Sequence, residues 1–592
     1  MLKNNKDTAN ILDISEIIET DVLVIGGGLA GTRAAIEAYD HNARVTIVMK
    51  AKFGMGGASA VPNWRGGLSV PNGDTDPMDN PVEEFNDIVQ AGAGMCDEKL
   101  VMILVNETID RLAELEKWGL DNINRTDGKC PQVKVCFSNR PRTIRTLGLP
   151  AAPSILAVLK KQTEKREIQI IDNVMIVSLL TNNDNCVGAL GIDNKGKILL
   201  FKSKSSVLAT GGGGGLYPPS RYPMNATGDG YALGFRAGAE LCNMEFVQIM
   251  MGVHAVLLHL NPDIRNGLGK NFIQHYLPTG VTLADCFEER TKHSPFSTAD
   301  IGKYIDIAFY QEILAGRGTE NMGICVDFTM FSEKDLEKTI EATKNKAFGG
   351  IKNEIIRLRA MGVDILERPL DARPDAHAFN GGFVINESTE TTLSGLYAIG
   401  EAATGPHGAD RLGGNMLATC QVFGARAGRF AAQRAGTLGE IVIDQKQVNE
   451  ECNKVSRLMV SNGSIRPQEI ESEIRDIMWK TCLTVRNKTG LESCIVELGR
   501  LKHEKLPDLL VDSNDELFRA LAIPNMLEVG GMVAFAALMR KESRGNHFRE
   551  DYPYRDDANW LSIINISKKT SSYKKEKTDS DLYSTSDTSY DL

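Results

Sequence analysis

Three closely spaced glycines near the N-terminus have the spacing that binds a pyrophosphate group. Gly26, Gly28 and Gly31 form a G-x-G-x-x-G pattern. The first glycine of such a pattern permits a tight turn, the second lets a pyrophosphate approach the backbone, and the third lets a helix pack closely on a strand. The N-terminus of that helix offers free N–H groups and a positive dipole to the phosphates. The pattern therefore predicts a dinucleotide-binding site.

The residues around these glycines predict the βαβ unit that must position them. Residues 21–25 and 45–49 are short apolar, β-branched runs typical of buried strands, and residues 32–39 between them favour a helix. An acid usually ends the second strand and holds a ribose hydroxyl. Met49 and Lys50 stand there instead. The pattern alone therefore leaves open which dinucleotide binds, and Lys50 is a candidate contact.

A second glycine-rich element follows another predicted strand. Ala209-Thr210-Gly211-Gly212 ends the strand that begins near residue 206, and residues 225–231 then open a helix that carries Asp229. A close backbone approach of this kind is typical of flavoproteins. Asp229 could accept a flavin hydroxyl or could simply cap its helix.

Composition excludes several classes of protein. The chain has 592 residues, is 42% hydrophobic and 24% charged, and carries a net charge of −10. An acidic chain is a poor candidate for nucleic-acid binding. None of the eleven cysteines forms a C-x-x-C pair, so we expect no iron–sulfur cluster or other metal site in this chain. We expect a cytoplasmic protein without a signal peptide or a membrane-spanning helix.

The changes of pattern along the chain predict several domains of an α/β protein. We expect a leader over residues 1–19 and a Rossmann-like dinucleotide-binding domain over 20–252 and 368–435. An inserted α+β capping domain over 253–367 would interrupt it. A helical domain over 436–566 and a disordered, serine-rich and charge-rich tail over 567–592 would follow.

Several motifs, taken in order, resemble one family. The elements at 26–31, 209–212 and 225–231 are followed by GLYAIGE at 395–401, HGADRLGGN at 407–415 and SRGNHFREDYPYRDDANW at 543–560. Together they resemble the flavoprotein subunits of succinate dehydrogenase and fumarate reductase over about residues 20–562. More distant relatives of this family are L-aspartate oxidase and the α subunit of adenylylsulfate reductase.

The resemblance implies that the dinucleotide is FAD and assigns its contacts. FAD would lie along the three glycines of the first pattern, with Val174 near the adenine. The ribityl chain and ring would lie near Gly67, Thr210, Gly211, Gly212, Asp229, Glu401 and Asn415.

The resemblance also assigns substrate residues. His377 falls on the family's substrate histidine and Arg411 on its substrate arginine. Arginine suits a carboxylate because it stays charged and binds with two parallel hydrogen bonds. His377 could instead be an ordinary core histidine.

Three departures from the family pattern change the expected chemistry. Residues 50–67 contain no histidine, so we expect non-covalent FAD. The family's Q-F-H-P-T-G segment reads QIMMGV at 248–253, which leaves one half of the dicarboxylate site apolar. The stretch that carries the family's proton-shuttling arginine reads IGKYIDIA at 301–308, where Lys303 is the nearest cation and either a proton donor or an exposed helix lysine.

These features favour an FAD-dependent oxidoreductase that acts on a carboxylate-bearing substrate, such as an unsaturated acid other than fumarate. The resemblance implies an iron–sulfur partner subunit or a soluble electron carrier, through which the protein would lie at the membrane periphery. The alternatives are an adenylylsulfate-reductase-like flavoprotein, an L-aspartate-oxidase-like enzyme and a non-catalytic flavin subunit for electron transfer.

Overall fold

The structure, a computed structural model, describes residues 14–61, 66–147, 150–218, 222–252, 255–343, 351–459, 463–568, 573–577 and 582–583. Its strands are β1 (Ile14–Ile25), β2 (Val45–Val48), β3 (Leu68–Ser69), β4 (Gln132–Val133), β5 (Thr143–Ile144), β6 (Gln169–Ile171), β7 (Val174–Asn182), β8 (Asn185–Asp193), β9 (Ile198–Leu208), β10 (Leu241–Cys242), β11 (Val247–Met251), β12 (Asp263–Arg265), β13 (Ile324–Asp327), β14 (Leu370–Ala372), β15 (Pro374–Phe379), β16 (Gly382–Phe383), β17 (Leu396–Ala398), β18 (Ser562–Ile566), β19 (Tyr573–Lys577) and β20 (Leu582–Tyr583).

Its helices are α1 (Leu29–Asp40), α2 (Pro81–Gly92), α3 (Glu98–Lys117), α4 (Ala151–Lys165), α5 (Asp229–Ala237), α6 (Leu283–Lys292), α7 (Lys303–Leu314), α8 (Glu333–Thr343), α9 (Ile351–Ala360), α10 (Asn415–Thr437), α11 (Gln445–Met459), α12 (Pro467–Cys482), α13 (Lys488–Arg500), α14 (Asn514–Met539) and α15 (Asp557–Trp560).

A central sheet carries the glycine-rich turns. Its strand order is β6-β2-β1-β9-β8-β7, and β17 also pairs with β9. Strands β6, β2, β1, β9 and β17 run parallel, whereas β8 is antiparallel to β9 and to β7. Because β1 and β9 are parallel neighbours, the glycine-rich turns that follow both strands lie at the same sheet edge. In open α/β sheets this edge is where ligands bind.

Helix α10 lies directly against α1 because glycine allows a close approach. A Cβ atom on Gly428 would lie 2.2 Å from the carbonyl oxygen of Ala34, and one on Gly424 would lie 2.9 Å from that of Ala30. Any larger residue at position 428 would push the two helices apart. This packing brings the segment before α10, which carries Arg411, to the sheet edge that holds the first glycine turn.

The inserted segment forms a small α+β unit. Strands β12, β13 and β14 make an antiparallel sheet, and α6 to α9 accompany it. Strand β14 ends at Ala372, five residues after the capping boundary expected at 367. Strand β11 enters this unit and β15 leaves it, and the two pair antiparallel with Gln248 opposite Ala378. The pairing places residues before and after the insertion side by side.

The C-terminal part is helical, in agreement with the expected fold class. Helices α12, α13 and α14 pack through buried side chains such as Ile474, Leu498 and Met526. Helix α14 alone, among the helices of the described residues, is long and apolar enough to cross a membrane, but 78% of its apolar window is buried inside the protein. Core helices of soluble proteins share this property, so α14 is weak evidence for a membrane span.

Both ends of the chain differ in part from the sequence expectation. Strand β1 begins at Ile14 and pairs with β9, although the leader was expected to extend to residue 19, because the exposed Glu16 and Glu19 conceal the strand pattern. Strands β19 and β20 fall inside the tail expected to be disordered, and β19 pairs with β18. Most of residues 567–592 and residues 1–13 lie outside the described residues, where disorder stays a prediction.

Candidate active site

The first glycine turn has the close contacts that its pattern predicts. Gly26 follows β1 with φ +113°, and a Cβ atom there would lie 2.3 Å from the carbonyl oxygen of Ala209. A Cβ atom on Gly31 would lie 1.9 Å from the carbonyl oxygen of Gly26. Gly28 is the N-cap of α1. The N-terminus of α1 is therefore held against the end of β1, as pyrophosphate binding requires.

A cleft of about 1290 Å³, measured out to its mouth, runs across this sheet edge. It exceeds the roughly 300–1,000 Å³ of ordinary ligand pockets, which suits a long two-part ligand. Eight residues predicted to contact the cofactor line it: Gly26, Gly28, Lys50, Val174, Thr210, Gly211, Asp229 and Glu401.

The other four predicted cofactor residues lie just behind the lining. Gly31 packs α1 on β1, and Gly67 packs on β5, where its Cβ would lie 2.3 Å from Thr143 Cγ2. A Cβ on Gly212 would lie 2.5 Å from Glu401 Oε1. Asn415 begins α10, directly before the lining residues Met416 and Leu417.

Polar atoms around the cleft fit the hydroxyls and ring atoms of FAD. Thr210 Oγ1 and both amide atoms of Asn415 are buried without a hydrogen-bond partner within the described part of the chain. Buried polar groups are costly to leave unpaired. These orphaned atoms are thus available to a polar ligand, and the residues present fit FAD.

Asp229 is paired rather than acting as a helix cap. Lys50 Nζ lies 2.5 Å from its Oδ2, and the amide of Asn525 donates to its Oδ1 at 2.8 Å. The N-cap of α5 is Gly228, and no side chain caps that end by a hydrogen bond. Lys50 therefore bridges the end of β2 and the start of α5, where the usual pattern has an acid.

Glu401 is a buried carboxyl beside the cleft. The hydroxyl of Tyr222 donates to its Oε2, and the backbone N–H of Phe379 donates to its Oε1 at 2.8 Å. Burial raises the pKa of Glu401, although these two hydrogen bonds oppose the shift. The same turn fixes its backbone, because Tyr231 donates to the Glu401 carbonyl at 2.6 Å.

Arg411 and His377, the two predicted substrate residues, lie next to each other. Arg411 Nη2 lies 3.4 Å from His377 Nε2 and donates to Gln248 Oε1 at 2.7 Å. Its Nη1 donates to the carbonyl of Leu412 at 3.3 Å, and its Nε is buried without a partner among the described residues. Within the same residues, no carboxylate forms an ion pair with Arg411. This buried cation is therefore poised for an anionic ligand.

Gln248 is a site residue that the sequence motifs did not identify. It lies on β11 and is fully buried, and its Nε2 donates back to the Arg411 carbonyl at 3.4 Å. A polar residue inside an otherwise apolar strand was the available signal. Ile249, Met250 and Met251 follow it and are also buried. The second half of the family's dicarboxylate site is thus apolar on β11, whereas His254 lies outside the described residues.

Lys303 begins α7 on the capping segment. Its Nζ donates to the carbonyl of Thr298 at 3.2 Å and lies 5.5 Å from the ring centre of Tyr304. Burial lowers the pKa of its ammonium group, and Asp300 acts in the opposite sense. The described contacts of Lys303 are with residues 298–304, so a catalytic role for it stays a prediction.

A second polar cluster joins the capping segment to the Arg411 segment, and no sequence motif pointed to it. Ser297 Oγ donates to Asp410 Oδ2 at 2.6 Å. His293 Nε2 lies 2.8 Å from Asp300 Oδ2, and its Nδ1 lies 2.6 Å from the carbonyl oxygen of Pro295. Burial raises the pKa of Asp410 to about 7.

Two further buried groups near this cluster have different surroundings. Arg290, the cation upstream of Lys303, forms two hydrogen bonds to the fully buried Asp306 at 2.7 and 3.1 Å. It therefore has a structural partner. Burial, with the nearby charge of Arg411, lowers the pKa of His407 to about 3, so this imidazole is neutral at physiological pH.

The cleft, its orphaned polar atoms and the buried arginine define an FAD-dependent oxidoreductase. Residues 21–417 match the model of the FAD-binding domain, and residues 471–587 match the model of the fumarate reductase flavoprotein C-terminus. The chain thus belongs to the succinate dehydrogenase/fumarate reductase flavoprotein family, and its cofactor is FAD.

Curated relatives and solved structures align along almost the whole chain. A subunit of the CoM/CoB fumarate reductase of Methanothermobacter marburgensis is 34% identical over 94% of this chain and 98% of its own. The fumarate reductase flavoprotein subunit of Haemophilus influenzae is 26% identical over 92% and 91%. The Mycobacterium smegmatis Sdh1 complex in its apo form superposes with a TM-score of 0.78 at 26% identity and covers 95% of both chains.

Proposed function

We propose that this flavoprotein reduces the carbon–carbon double bond of an unsaturated carboxylic acid that has one carboxylate and an apolar body. Bound FAD supplies the hydride at its N5 atom. Arg411 and His377 hold the carboxylate, with the Arg411 guanidinium fixed in orientation by Gln248. The apolar side chains of β11 receive the remainder of the substrate.

The observation that carries this proposal is the buried Arg411. Its guanidinium lacks a carboxylate partner within the described residues, and its Nε atom has no partner there. A buried charge without a counter-ion is unfavourable, so a substrate carboxylate would complete the site. A bidentate pair would also orient the adjacent carbon atoms for hydride transfer.

The apolar strand supports the choice of substrate class. Met250 and Met251 stand where the family has polar residues, and both are buried. A second carboxylate placed against them would lose its hydration without gaining a hydrogen bond. The relative from Methanothermobacter marburgensis is named a fumarate reductase, so fumarate is the necessary comparison substrate.

We propose also that the FAD is non-covalent, because residues 50–67 contain no histidine. Electrons would come from an iron–sulfur partner subunit or a soluble carrier, since the cysteines of this chain lack cluster-ligand spacing. The protein would then be cytoplasmic, or peripheral to a membrane through its partner.

The function can be tested with purified protein that has been reduced by methyl viologen under anaerobic conditions. Crotonate, cinnamate, fumarate and adenylylsulfate are mixed with it separately, and the return of the oxidised flavin spectrum is recorded. We expect fast reoxidation by crotonate or cinnamate and slow reoxidation by fumarate. Acid precipitation of a parallel sample should release the yellow colour into the supernatant.

Each other outcome identifies a different function. Fast reoxidation by fumarate alone would show that another polar group completes a dicarboxylate site. Reoxidation by adenylylsulfate alone would establish the adenylylsulfate-reductase-like alternative. If no acceptor reoxidises the flavin, a subunit for electron transfer becomes the better description. Colour retained in the precipitate would show a covalent flavin.

A further inference from the structure

We propose that Asp410 delivers the proton that completes reduction of the double bond, and that the His293–Asp300 pair returns a proton to it from solvent. This proposal rests on the proposed function. It gives the proton-donor role to a carboxyl group on the Arg411 segment rather than to a cation on the capping segment.

The position of Asp410 fits a donor to the substrate. It directly precedes Arg411 and is buried where the capping segment meets the FAD-binding part of the chain. Ser297 of the capping segment occupies Oδ2 by its 2.6 Å hydrogen bond. Oδ1 is buried and has no partner among the described residues. A carboxyl oxygen that is left unpaired beside the substrate arginine is free to face the reacting carbon.

The surroundings of Asp410 keep its proton in place near neutral pH. Burial raises its pKa to about 7, the negative charge of Asp300 raises it further, and Ser297 and His293 oppose the shift. On its own segment lie the charged Arg411 and His407, whose pKa is low. The elements packed against the preceding Ala409 contribute uncharged groups: the carbonyl of Gly92, the amide of Asn380 and the backbone N–H of Asn546.

The His293–Asp300 pair always holds one transferable proton. The carbonyl of Pro295 can only accept, so His293 Nδ1 must carry a hydrogen. The 2.8 Å contact between Nε2 and Asp300 then needs a second proton, which belongs to either the imidazole or the carboxyl. The Asp300 side chain is 23% exposed and that of His293 is 5% exposed. The pair thus connects solvent with the buried Asp410, on which both charges act.

The step balances without any further reactant. The substrate double bond accepts a hydride on one carbon and the Asp410 proton on the neighbouring carbon, which gives a saturated acid and an Asp410 carboxylate. The pair then transfers a proton to Asp410 and regains one from water. Two electrons come from the reduced flavin and two hydrogens enter the substrate.

Asp410→Asn is the direct test, because the amide can still accept the hydrogen bond from Ser297. Viologen reduction of the flavin should be unchanged in this variant. Its reoxidation by crotonate, or by whichever acid reoxidises the wild type fastest, should be slower by about 10²–10⁴-fold. Asp476→Asn, the same change at an exposed site on α12, is the matched control and should be reoxidised at the wild-type rate.

The pH profile separates proton delivery from a merely structural role. The wild-type rate should fall as pH rises through about 7, because Asp410 loses its proton there. Ser297→Ala removes a hydrogen bond that favours the carboxylate, so the fall should move to higher pH, whereas Asp410→Asn should abolish it.

Failure of this proposal can be told apart from failure of the proposed function. A wild-type enzyme that reduces the acid, with Asp410→Asn equally fast or with a pH profile unmoved in both variants, would overturn the role of Asp410 alone. A wild type that reduces no acid of the panel would overturn the proposed function and this proposal with it.

Discussion

Replacement of Arg411 by methionine tests the carboxylate site. Arg411→Met keeps much of the volume but removes the buried guanidinium that we expect to pair with the substrate. Truncation of one partner of a buried, hydrogen-bonded charge pair costs about 2–5 kcal/mol. At about 1.4 kcal/mol per tenfold change, kcat/KM for crotonate should fall by roughly 30- to 4,000-fold. Arg411→Lys keeps the charge without the planar fork and should fall between this variant and the wild type.

The same substitution should leave the fold and the cofactor in place. Arg411→Met deprives Gln248 Oε1 of its 2.7 Å donor, which costs about 1–3 kcal/mol of folding stability. Methionine leaves no unpaired charge behind. The flavin content per protein should therefore equal that of the wild type, measured from the absorbance after acid release.

The assay is steady-state reduction of crotonate with methyl viologen as the electron donor. Arg457→Met, at an exposed position of α11, provides the matched control and should keep the wild-type kcat/KM. An Arg411→Met protein with full flavin content and a kcat/KM within threefold of the wild type would refute the assignment of Arg411 to the substrate carboxylate.

Three further predictions follow from individual contacts. Gly31→Ala places a Cβ atom 1.9 Å from the Gly26 carbonyl oxygen, so the purified variant should contain little FAD, whereas Gly436→Ala, where nothing lies within 4 Å, should retain it; equal FAD contents would contradict this. Burial raises the pKa of Glu84 to about 7, above its unfolded value of about 4.4, so the folded state binds the extra proton and stability is lost as pH rises from about 4.4 to 7; Glu84→Gln should flatten this loss in urea unfolding at pH 5 and pH 8, and an unchanged difference would contradict it. Met250→His restores a polar side chain on β11 and should raise the ratio of fumarate to crotonate turnover, measured as kcat/KM for each acid, and an unchanged ratio would argue against an apolar half-site.

The cofactor site could largely be predicted from the sequence because its signals are local. The spacing of Gly26, Gly28 and Gly31 dictates a turn and a helix start within six residues, and the structure shows both. The expected class of protein and its FAD are confirmed. The helix-capping alternative for Asp229 failed because its partner, Lys50, lies 179 positions away.

The substrate side could be predicted only in part, because its contacts join distant segments. His377 and Arg411 were found through their motifs, whereas Gln248 meets Arg411 across 163 positions and Ser297 meets Asp410 across 113. These pairs depend on the β11–β15 register and on the docking of the capping segment. Neither is encoded in a short spacing pattern, so Asp410 could not be distinguished from an ordinary loop acid.

The central claim is that Arg411 binds the single carboxylate of an unsaturated acid whose body lies against β11. Rapid mixing of the viologen-reduced wild-type protein with crotonate, and separately with fumarate at the same concentration, tests it most directly through the rate at which the flavin is reoxidised. We predict faster reoxidation by crotonate. Faster reoxidation by fumarate would contradict the claim and would require a second anion-binding group in the site.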